Sequence, residues 1–326
     1  MMRTFFDNAA VLVTGGTGSF GKLFVKTLLE KTTARRIVIY SRDELKQWEM
    51  SQLYPGEDRL RFFLGDVRDL PRLTRAFHGV DYVVHAAALK QVPAAEYNPF
   101  EAVKTNIMGA KNIIDAAIDC GVKRVVALST DKASSPVNLY GATKFVSDKL
   151  FIDGNAYAGG RVTRFSVVRY GNVVGSRGSV IPLFKKLAPT GELPVTDPNM
   201  TRFWITLDQG VEMVMDAFET MKGGELYVPK IPSMKLADLA KAIAPDAKIR
   251  ITGIRPGEKL HEELISAHDA YRTVDAGKYY IIQPDLDWWA PSKIEGKPVP
   301  TNFAYTSDNN PMWLTVEQLR EMIRDV

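Results

Sequence analysis

The sequence has few of the residues that form disulfides or bind metals. It contains a single cysteine, Cys120, and four histidines among 326 residues. One cysteine cannot form an intrachain disulfide, so we expect a cytoplasmic location, where thiols stay reduced. No second His, Cys or acidic residue stands at a metal-binding spacing from His85, so we expect no metal and interpret His85 as a packed strand-end residue.

Long hydrophobic runs and an excess of one charge are also missing. No apolar stretch approaches the roughly 20 residues that cross a bilayer, so we expect no membrane segment. The net charge is +4, with both signs interspersed, which does not favour nucleic acid and suits an anionic small substrate equally well. The length allows one large domain or two modest ones.

A glycine-rich segment near the start of the sequence carries the first chemical signal. An apolar strand at residues 9–13 leads into T-G-G-T-G-S-F-G, and a helix follows through about Glu30. This spacing lets the backbone turn tightly and brings phosphates to the helix N-terminus, where free N–H groups favour negative charge. The segment predicts a dinucleotide site formed by Thr14, Gly15, Thr17, Gly18, Ser19, Phe20 and Gly21.

The end of the second strand bears on which dinucleotide binds. The strand at residues 36–40 is followed by Ser41, Arg42 and Lys46, where an enzyme specific for NAD usually places a carboxylate. A hydroxyl and cations suit a 2′-phosphate, so these residues favour NADP. Asp43 is a carboxylate close to the same strand end, so NAD remains the alternative cofactor. Arg42 could instead pair with a neighbouring carboxylate on the surface.

Two further strand ends add candidate contacts to the same cofactor. Asp66 and Val67 follow the strand at residues 60–64, and Asp66 is placed either to accept from the adenine amino group or to cap a helix. The strand at residues 81–88 ends in alanines, of which Ala86 and Ala87 leave room for the cofactor.

The segment that follows the strand at residues 124–128 gathers reactive side chains. Tyr140 and Lys144 lie one helical turn apart, and an ammonium beside a phenol favours the phenolate. Tyr140 is therefore a candidate base near neutral pH. The polar residues that leave the carboxyl end of the strand, where open α/β sheets bind ligands, are Thr130, Asp131 and Lys132.

The alternation of strands and helices predicts a doubly wound parallel sheet, the Rossmann type of α/β fold, with a smaller α/β domain. We assign residues 1–172 plus about 203–229 to the dinucleotide-binding domain, and about 173–202 plus 230–326 to the substrate domain. In the latter we expect a helix shortly after Lys259 and a closing helix at residues 315–326.

These motifs together resemble the extended short-chain dehydrogenases/reductases. Further strings resemble one branch, the inverting UDP-N-acetylglucosamine 4,6-dehydratases that begin pseudaminic acid biosynthesis; they include Y-S-R-D-E-L-K, H-A-A-A-L-K, S-T-D-K-A, M-T-R-F-W-I-T and I-R-P-G-E-K-L-H-E. Related retaining dehydratases carry Asp-Glu where this chain has Asp131-Lys132, and the 4-epimerases lack the acid/base pair.

The resemblance implies specific roles for the segment. Tyr140, held as phenolate by Lys144, takes the C4 hydroxyl proton while NADP accepts hydride. Lys132, kept neutral by burial and nearby positive charge, takes the C5 proton. Asp131 protonates the departing C6 hydroxyl, and Thr130 orients the substrate.

The substrate, UDP-N-acetylglucosamine, needs groups that hold its diphosphate and uridine. We assign Asn172, Arg177 and Arg255 to them, because Arg forks match phosphate oxygens. Arg202 and Glu258 either do likewise or hold the smaller domain, and Lys90 faces substrate or solvent. Homo-oligomers are usual in this family. The alternative hypotheses are a UDP-sugar 4-epimerase and a non-catalytic NADP-binding protein.

The cofactor assignment predicts that Arg42→Ala weakens NADP and barely affects NAD. A charge-assisted contact to the 2′-phosphate contributes about 1.5–3 kcal/mol, so NADP affinity should fall roughly ten- to a hundredfold. Titrations of both nucleotides measure this difference, and an equal loss for both would place Arg42 away from the phosphate.

Overall fold

A ten-stranded sheet organises most of the computed structural model, which describes residues 2–175, 180–285 and 293–324. Its strands are, in spatial order, Lys297–Pro298 (β16), Thr273–Asp275 (β14), Tyr279–Ile282 (β15), Leu226–Pro229 (β10), Arg164–Tyr170 (β6), Arg124–Thr130 (β5), Tyr82–His85 (β4), Ala10–Thr14 (β1), Arg36–Ser41 (β2) and Leu60–Leu64 (β3). The strands from β10 to β3 are parallel. The predicted doubly wound parallel sheet is confirmed.

Central strands such as β1 are buried along their whole length, because helices cover both faces of the sheet. Among these helices, α1 packs on α9, while α6 contacts both α3 and α7. The helices are Ser19–Lys31 (α1), Glu44–Gln52 (α2), Leu70–Phe77 (α3), Val92–Tyr97 (α4), Pro99–Ala102 (α5), Gly109–Asp119 (α6), Leu139–Tyr157 (α7), Val180–Leu187 (α8), Leu207–Thr220 (α9), Leu236–Ile243 (α10) and Val316–Met322 (α11). No helix in the described ranges has both the length and the apolar character that crossing a bilayer requires.

A second, smaller core lies beside the main one. It contains buried side chains such as Phe184, Trp204 and Leu239. Three small sheets lie outside the ten-stranded sheet, with strands Asn172–Val173 (β7), Glu192–Val195 (β8), Thr201–Ile205 (β9), Ser233–Lys235 (β11), Lys248–Ile251 (β12), Glu263–Ile265 (β13) and Tyr305–Thr306 (β17). The sheet of β13 and β17 packs against the main core through Leu264, Ile265 and Tyr305. We call the smaller core together with the three small sheets the smaller unit, and the ten-stranded sheet with its helices the larger unit.

The C-terminal part of the chain differs from its prediction in two ways. Strands β14, β15 and β16 extend the main sheet in antiparallel order, so residues 230–326 are shared between the two units. Where a helix is expected after Lys259, strand β13 forms first, and a 3-10 helix, Ala267–Arg272, follows it. Strand β13 pairs with β17. Next to it, the backbone N–H of Ser307 donates to the Glu262 carbonyl at 2.8 Å. Long-range pairing has overridden a helix-like pattern.

Helix α7 approaches the turn after β5 so closely that only glycine fits at one position. A Cβ on Gly141 would overlap the carbonyl oxygen of Lys132 and lie 3.0 Å from its carbonyl carbon. Backbone atoms cannot move aside as a flexible side chain would. This contact fixes the distance between the helix and the turn that carries Lys132.

We therefore predict that Gly141→Ala lowers the free energy of unfolding by about 1–3 kcal/mol, the usual result of forcing atoms into a packed site. Gly154→Ala in the same helix is the matched control. Its Cβ would meet Ile114 and Phe165 side chains at 3.4 Å, an ordinary contact, and alanine favours a helix by about 0.5–1 kcal/mol. Urea unfolding measures both, and equal stability of the two variants would contradict the close approach.

Candidate active site

A cleft of about 610 Å³ opens where the parallel strands end at their carboxyl termini. It runs from the glycine-rich loop after β1 to the turn after β5 and the segment after β6. Open α/β sheets bind ligands at this edge because successive strand ends and helix N-termini meet there. The volume of the cleft lies within the range of ligand and cofactor sites in proteins.

The loop at one end of the cleft has the geometry of a phosphate cradle. Gly15 has a φ of +65°, and a Cβ there would lie 3.0 Å from the Ala87 nitrogen. The Gly18 N–H donates to the Gly15 carbonyl at 2.9 Å, and no side chain caps the first turn of α1. The helix N-terminus therefore faces the cleft with its N–H groups free for an anion. These residues fit a dinucleotide pyrophosphate.

Thr14, predicted to contact the cofactor, lies beneath the loop and is fully buried. Its hydroxyl oxygen accepts from the backbone N–H groups of Ala86 and Ala87 at 3.2 Å and shares a hydrogen bond with His85 Nδ1 at 2.9 Å. Burial, with a smaller contribution from Lys144, lowers the pKa of His85 to about 3. Thr14 therefore joins two strand ends beneath the cleft and does not line it.

The ends of β2 and β3, on the other side of the glycine-rich loop from the turn after β5, hold the residues predicted to choose between cofactors. Ser41, Arg42, Lys46, Asp66 and Val67 all line the cleft. Lys46 pairs with Asp43, and Arg42 Nη1 lies 3.6 Å from Asp66 Oδ2. Partial burial opposes ionisation of Asp66, but hydrogen bonds from Arg68 outweigh it and lower the pKa of this carboxyl. Arg42 remains half exposed and lines the cleft.

The turn after β5 places two predicted catalytic groups in contact. Thr130 caps a 3-10 turn at Asp131–Ala133. Lys132 Nζ lies 3.1 Å from Asp131 Oδ1, and the Thr130 hydroxyl donates to the same oxygen at 2.9 Å. The second oxygen of Asp131 is buried and has no hydrogen-bond partner. The acid and the base of the predicted chemistry therefore share one short contact.

The expectation that Lys132 is neutral is wrong for this state of the protein. Its Nζ also lies 3.1 Å from Glu262 Oε1, so the ammonium is held between two carboxylates. Burial alone would lower the pKa of Lys132, but Asp131 and Glu262 outweigh burial and raise it. Burial, assisted by the charge of Glu262, raises the pKa of Asp131.

Tyr140 is likewise protonated here, contrary to the expected phenolate. Burial raises its pKa to about 12, although the charge of Lys132 and a hydrogen bond with Thr130 act to lower it. Lys144 is buried on the same helix, and burial lowers its pKa against the opposing effect of Asp148. The strongest cationic influence on the phenol thus comes from Lys132.

A buried ionic network that sequence analysis missed lies behind Lys144. Asp148 Oδ2 accepts from the Ser129 hydroxyl at 2.7 Å and from Arg169 Nη2 at 3.1 Å. Arg169 Nη1 also donates to the Leu264 carbonyl of β13 at 3.1 Å. Asp148 follows Lys144 by four residues on the same helix. This spacing in the sequence indicates that the two side chains are neighbours.

The predicted substrate residues fall into three groups. Lys90 and Asn172 line the cleft, and the buried Oδ1 of Asn172 has no hydrogen-bond partner within residues 2–175, 180–285 and 293–324. Arg202, Arg255 and Glu258 do not line the cleft: Arg255 pairs with Glu258, and Arg202 donates to the carbonyls of Thr201 and Leu260. Arg177 lies outside the described residues.

Two further polar residues escaped the sequence analysis. Thr105 lines the cleft from a π-helical turn, Val103–Met108, and its buried hydroxyl has no partner. Glu262, which contacts Lys132, is the last residue of the string I-R-P-G-E-K-L-H-E, so a signal was present in the sequence. Across the described ranges, no cluster of His, Cys, Asp or Glu is arranged to hold a metal ion.

Comparison with known proteins gives a consistent set of relatives. A family model described as polysaccharide biosynthesis protein matches residues 11–284. A UDP-N-acetylglucosamine 4,6-dehydratase (inverting) from Campylobacter jejuni is 55% identical over 98% of each chain. A UDP-glucose 4-epimerase from Rickettsia canadensis is 43% identical over 98% of this chain and 96% of its own.

Solved structures resemble the whole chain or its larger part. Pen from Bacillus thuringiensis has a TM-score of 0.89 and 37% identity, covering 99% of this chain and 100% of its own. DesIV from Streptomyces venezuelae, a dTDP-glucose 4,6-dehydratase solved with NAD bound, has a TM-score of 0.68 and 26% identity, covering 77% of this chain and 86% of its own. Structural neighbours of this fold therefore include a protein that binds a nicotinamide dinucleotide.

The buried network predicts that Asp148→Asn lowers the free energy of unfolding by about 3–5 kcal/mol, because it leaves the Arg169 guanidinium buried without its counter-ion. Asp115→Asn is the control, since it removes an exposed pairing with Lys111 on α6 that contributes no more than about 0.5 kcal/mol. Denaturant unfolding of both variants tests the contrast. A loss below about 1 kcal/mol for Asp148→Asn would contradict a stabilising role of the pair.

Proposed function

Because the chain belongs to the polysaccharide biosynthesis protein family, we propose that it is a UDP-N-acetylglucosamine 4,6-dehydratase that inverts C5. The observation that carries the proposal is the contact of 3.1 Å between Asp131 and Lys132 in the cleft, beside Tyr140. Dehydration needs an acid for the leaving hydroxyl and a base for the C5 proton, close to one another. The 55% identity to an enzyme of that name supports the same conclusion.

The cofactor we propose is NADP, held between the glycine-rich loop and the end of β2. Gly15 and Gly18 supply the cradle for its pyrophosphate, and Arg42 with Ser41 supplies polar groups for a 2′-phosphate. When bound, the nicotinamide provides reversible hydride acceptance. Tyr140 accepts the C4 hydroxyl proton once its phenol is ionised, a form that the charge of Lys132 and the hydrogen bond with Thr130 favour against burial.

The Asp131–Lys132 contact explains how a charged lysine becomes the base. Transfer of one proton from Nζ to Oδ1 leaves an amine at Lys132 and a carboxylic acid at Asp131, the two forms that the elimination uses. Lys132 then takes the C5 proton, and Asp131 gives its proton to the C6 hydroxyl as it departs in water. The original ion pair is restored. Lys132 later gives a proton to C5 on its other face, and the proton that Tyr140 accepted from the C4 hydroxyl restores the ammonium through solvent.

The UDP-sugar 4-epimerase is the second candidate, favoured by the 43% identity to a protein of that name. An epimerase uses Tyr140 and Lys144 but has no need of the Asp131–Lys132 pair. A non-catalytic NADP-binding protein would need none of these groups. Mass spectrometry after incubation with UDP-N-acetylglucosamine distinguishes the three, through loss of one water, an isobaric product or no reaction.

We further propose a homo-oligomer in the cytoplasm, with the UDP-sugar as the only other partner. The single cysteine supports a reducing compartment. Sedimentation of the purified protein would measure the oligomeric state.

The proposed mechanism predicts the stereochemistry of the product in heavy water. The initial product should be the L-arabino 4-keto sugar with deuterium at C5, because an amine base exchanges its proton with solvent. NMR of fresh product gives both the isotope and the configuration, before the ketone epimerises spontaneously. A product with retained C5 configuration would show that the Asp131–Lys132 pair has been misassigned.

Lys132→Ala is the matched control for this experiment. The variant should lose dehydration while it still binds NADP, because Lys132 transfers protons and the phosphates of the cofactor are assigned to the glycine-rich loop and the end of β2. Turnover near that of the wild type would exclude Lys132 as the base. Cofactor titration in parallel verifies that the cleft is intact.

A further inference from the structure

Glu262 is a carboxylate of the smaller unit that contacts Lys132 in the turn after β5. It is only 2% exposed, and its Oε1 lies 3.1 Å from Lys132 Nζ and 3.7 Å from Arg202 Nε. Its backbone N–H donates to the Ser307 hydroxyl at 2.9 Å, and the Ser307 N–H donates back to its carbonyl at 2.8 Å. Pairing with a neighbouring segment therefore holds the carboxylate rigidly against Lys132.

The second oxygen of Glu262 is buried and has no hydrogen-bond partner among the described residues. A buried carboxylate with a free oxygen is unfavourable unless nearby cations compensate it. Here Lys132 and Arg202 together balance Glu262 and Asp131, so the four groups are neutral as long as Lys132 keeps its proton. Loss of that proton to solvent would leave a buried net negative charge, whereas its transfer to Asp131 leaves the total unchanged.

We propose that Glu262 is a positioning residue that anchors Lys132 as an ammonium in the free enzyme, so that Lys132 becomes an amine only by passing its proton to Asp131. This inference rests on the proposed function for its catalytic meaning. The anchoring itself is a property of the free protein and is measurable without substrate.

Several other groups face this cluster and set the background for its titration. Asp131 and Tyr140 lie on the side of the larger unit. Lys259 contributes a positive charge near Glu262, and burial lowers its pKa. The groups that face the cluster from the smaller unit are Arg202, Lys259 and Glu263. A change of Glu262 leaves these side chains in the sequence, but it also removes a charge that acts on Asp131 and Lys259.

Acetylation by acetic anhydride tests the inference, because a lysine reacts with this reagent only as the neutral amine. Lys132 lines the cleft with a quarter of its side chain exposed, so the reagent reaches it. Peptide mass spectrometry would follow acetylation of Lys132 from about pH 7 to 11, with exposed lysines of the same protein as the internal reference. In the wild type, the labelling midpoint of Lys132 should lie above that of the exposed lysines.

Glu262→Gln keeps the size of the side chain and removes its charge. It should shift the labelling midpoint of Lys132 to lower pH, so that the rate at neutral pH rises roughly tenfold or more while the limiting rate is unchanged. Glu263→Gln is the matched control. The carboxylate of Glu263 accepts from the hydroxyls of Ser134 and Ser135 at 2.6 and 2.7 Å, so this variant should label as the wild type does.

Two results would overturn the inference. One is a pH midpoint for acetylation of Lys132 in the wild type that lies at or below the midpoint of the exposed lysines. This result does not depend on the folding of any variant. The other is an equal midpoint in Glu262→Gln and Glu263→Gln. Failure of the wild type to release water from UDP-N-acetylglucosamine would instead refute the dehydratase proposal, and the labelling result for Glu262 would still hold.

Discussion

The ammonium of Lys132 lies between the carboxylates of Asp131 and Glu262, which come from different units of the molecule, at 3.1 Å from each. The residues that follow Glu262 also make contacts between the two units. Glu263 accepts from the hydroxyls of Ser134 and Ser135, and the Leu264 carbonyl accepts from Arg169. Consecutive residues of the smaller unit thus contact the larger one, Glu262 and Glu263 at the turn after β5 and Leu264 at β6.

This junction depends on a turn that cannot shift. The strand before it lies in the middle of a parallel sheet, and helix α7 approaches the carbonyl of Lys132 so closely that Gly141 admits no side chain. Behind the helix, the buried pair of Asp148 and Arg169 joins α7 to β6 and β13. Because charges in such surroundings are weakly screened, small displacements would change their energies strongly.

Burial also governs the proton chemistry of the residues that line the cleft. Burial opposes the charged forms of Tyr140, Asp131 and Lys144, and neighbouring charges adjust the pKa of each group further. Lys132 is the exception, since two carboxylates outweigh its burial. The resting site therefore stores one proton between an acid and a base, and a shift along an existing hydrogen bond converts it to the form that elimination needs. Such coupled groups titrate as a unit rather than one by one.

Features that depend on local spacing were predictable from the sequence. The alternation of apolar strands and helices determined the doubly wound sheet, because each buried strand must be covered by helices on both faces. The glycine spacing determined the loop after β1, and the four-residue interval between Tyr140 and Lys144 placed both on one side of α7.

Features that depend on distant residues were decided only by the tertiary structure. Lys132 is charged because Glu262, far along the chain, is brought to its side, and neither residue reveals this partner locally. Thr14 faces inward because the end of β4 offers it two N–H donors. Residues after Lys259 form a strand because β17 supplies hydrogen bonds that a helix would have had to find within itself. Local periodicity determines which way a side chain points along its own element, whereas electrostatic environment and strand partners follow from packing between elements.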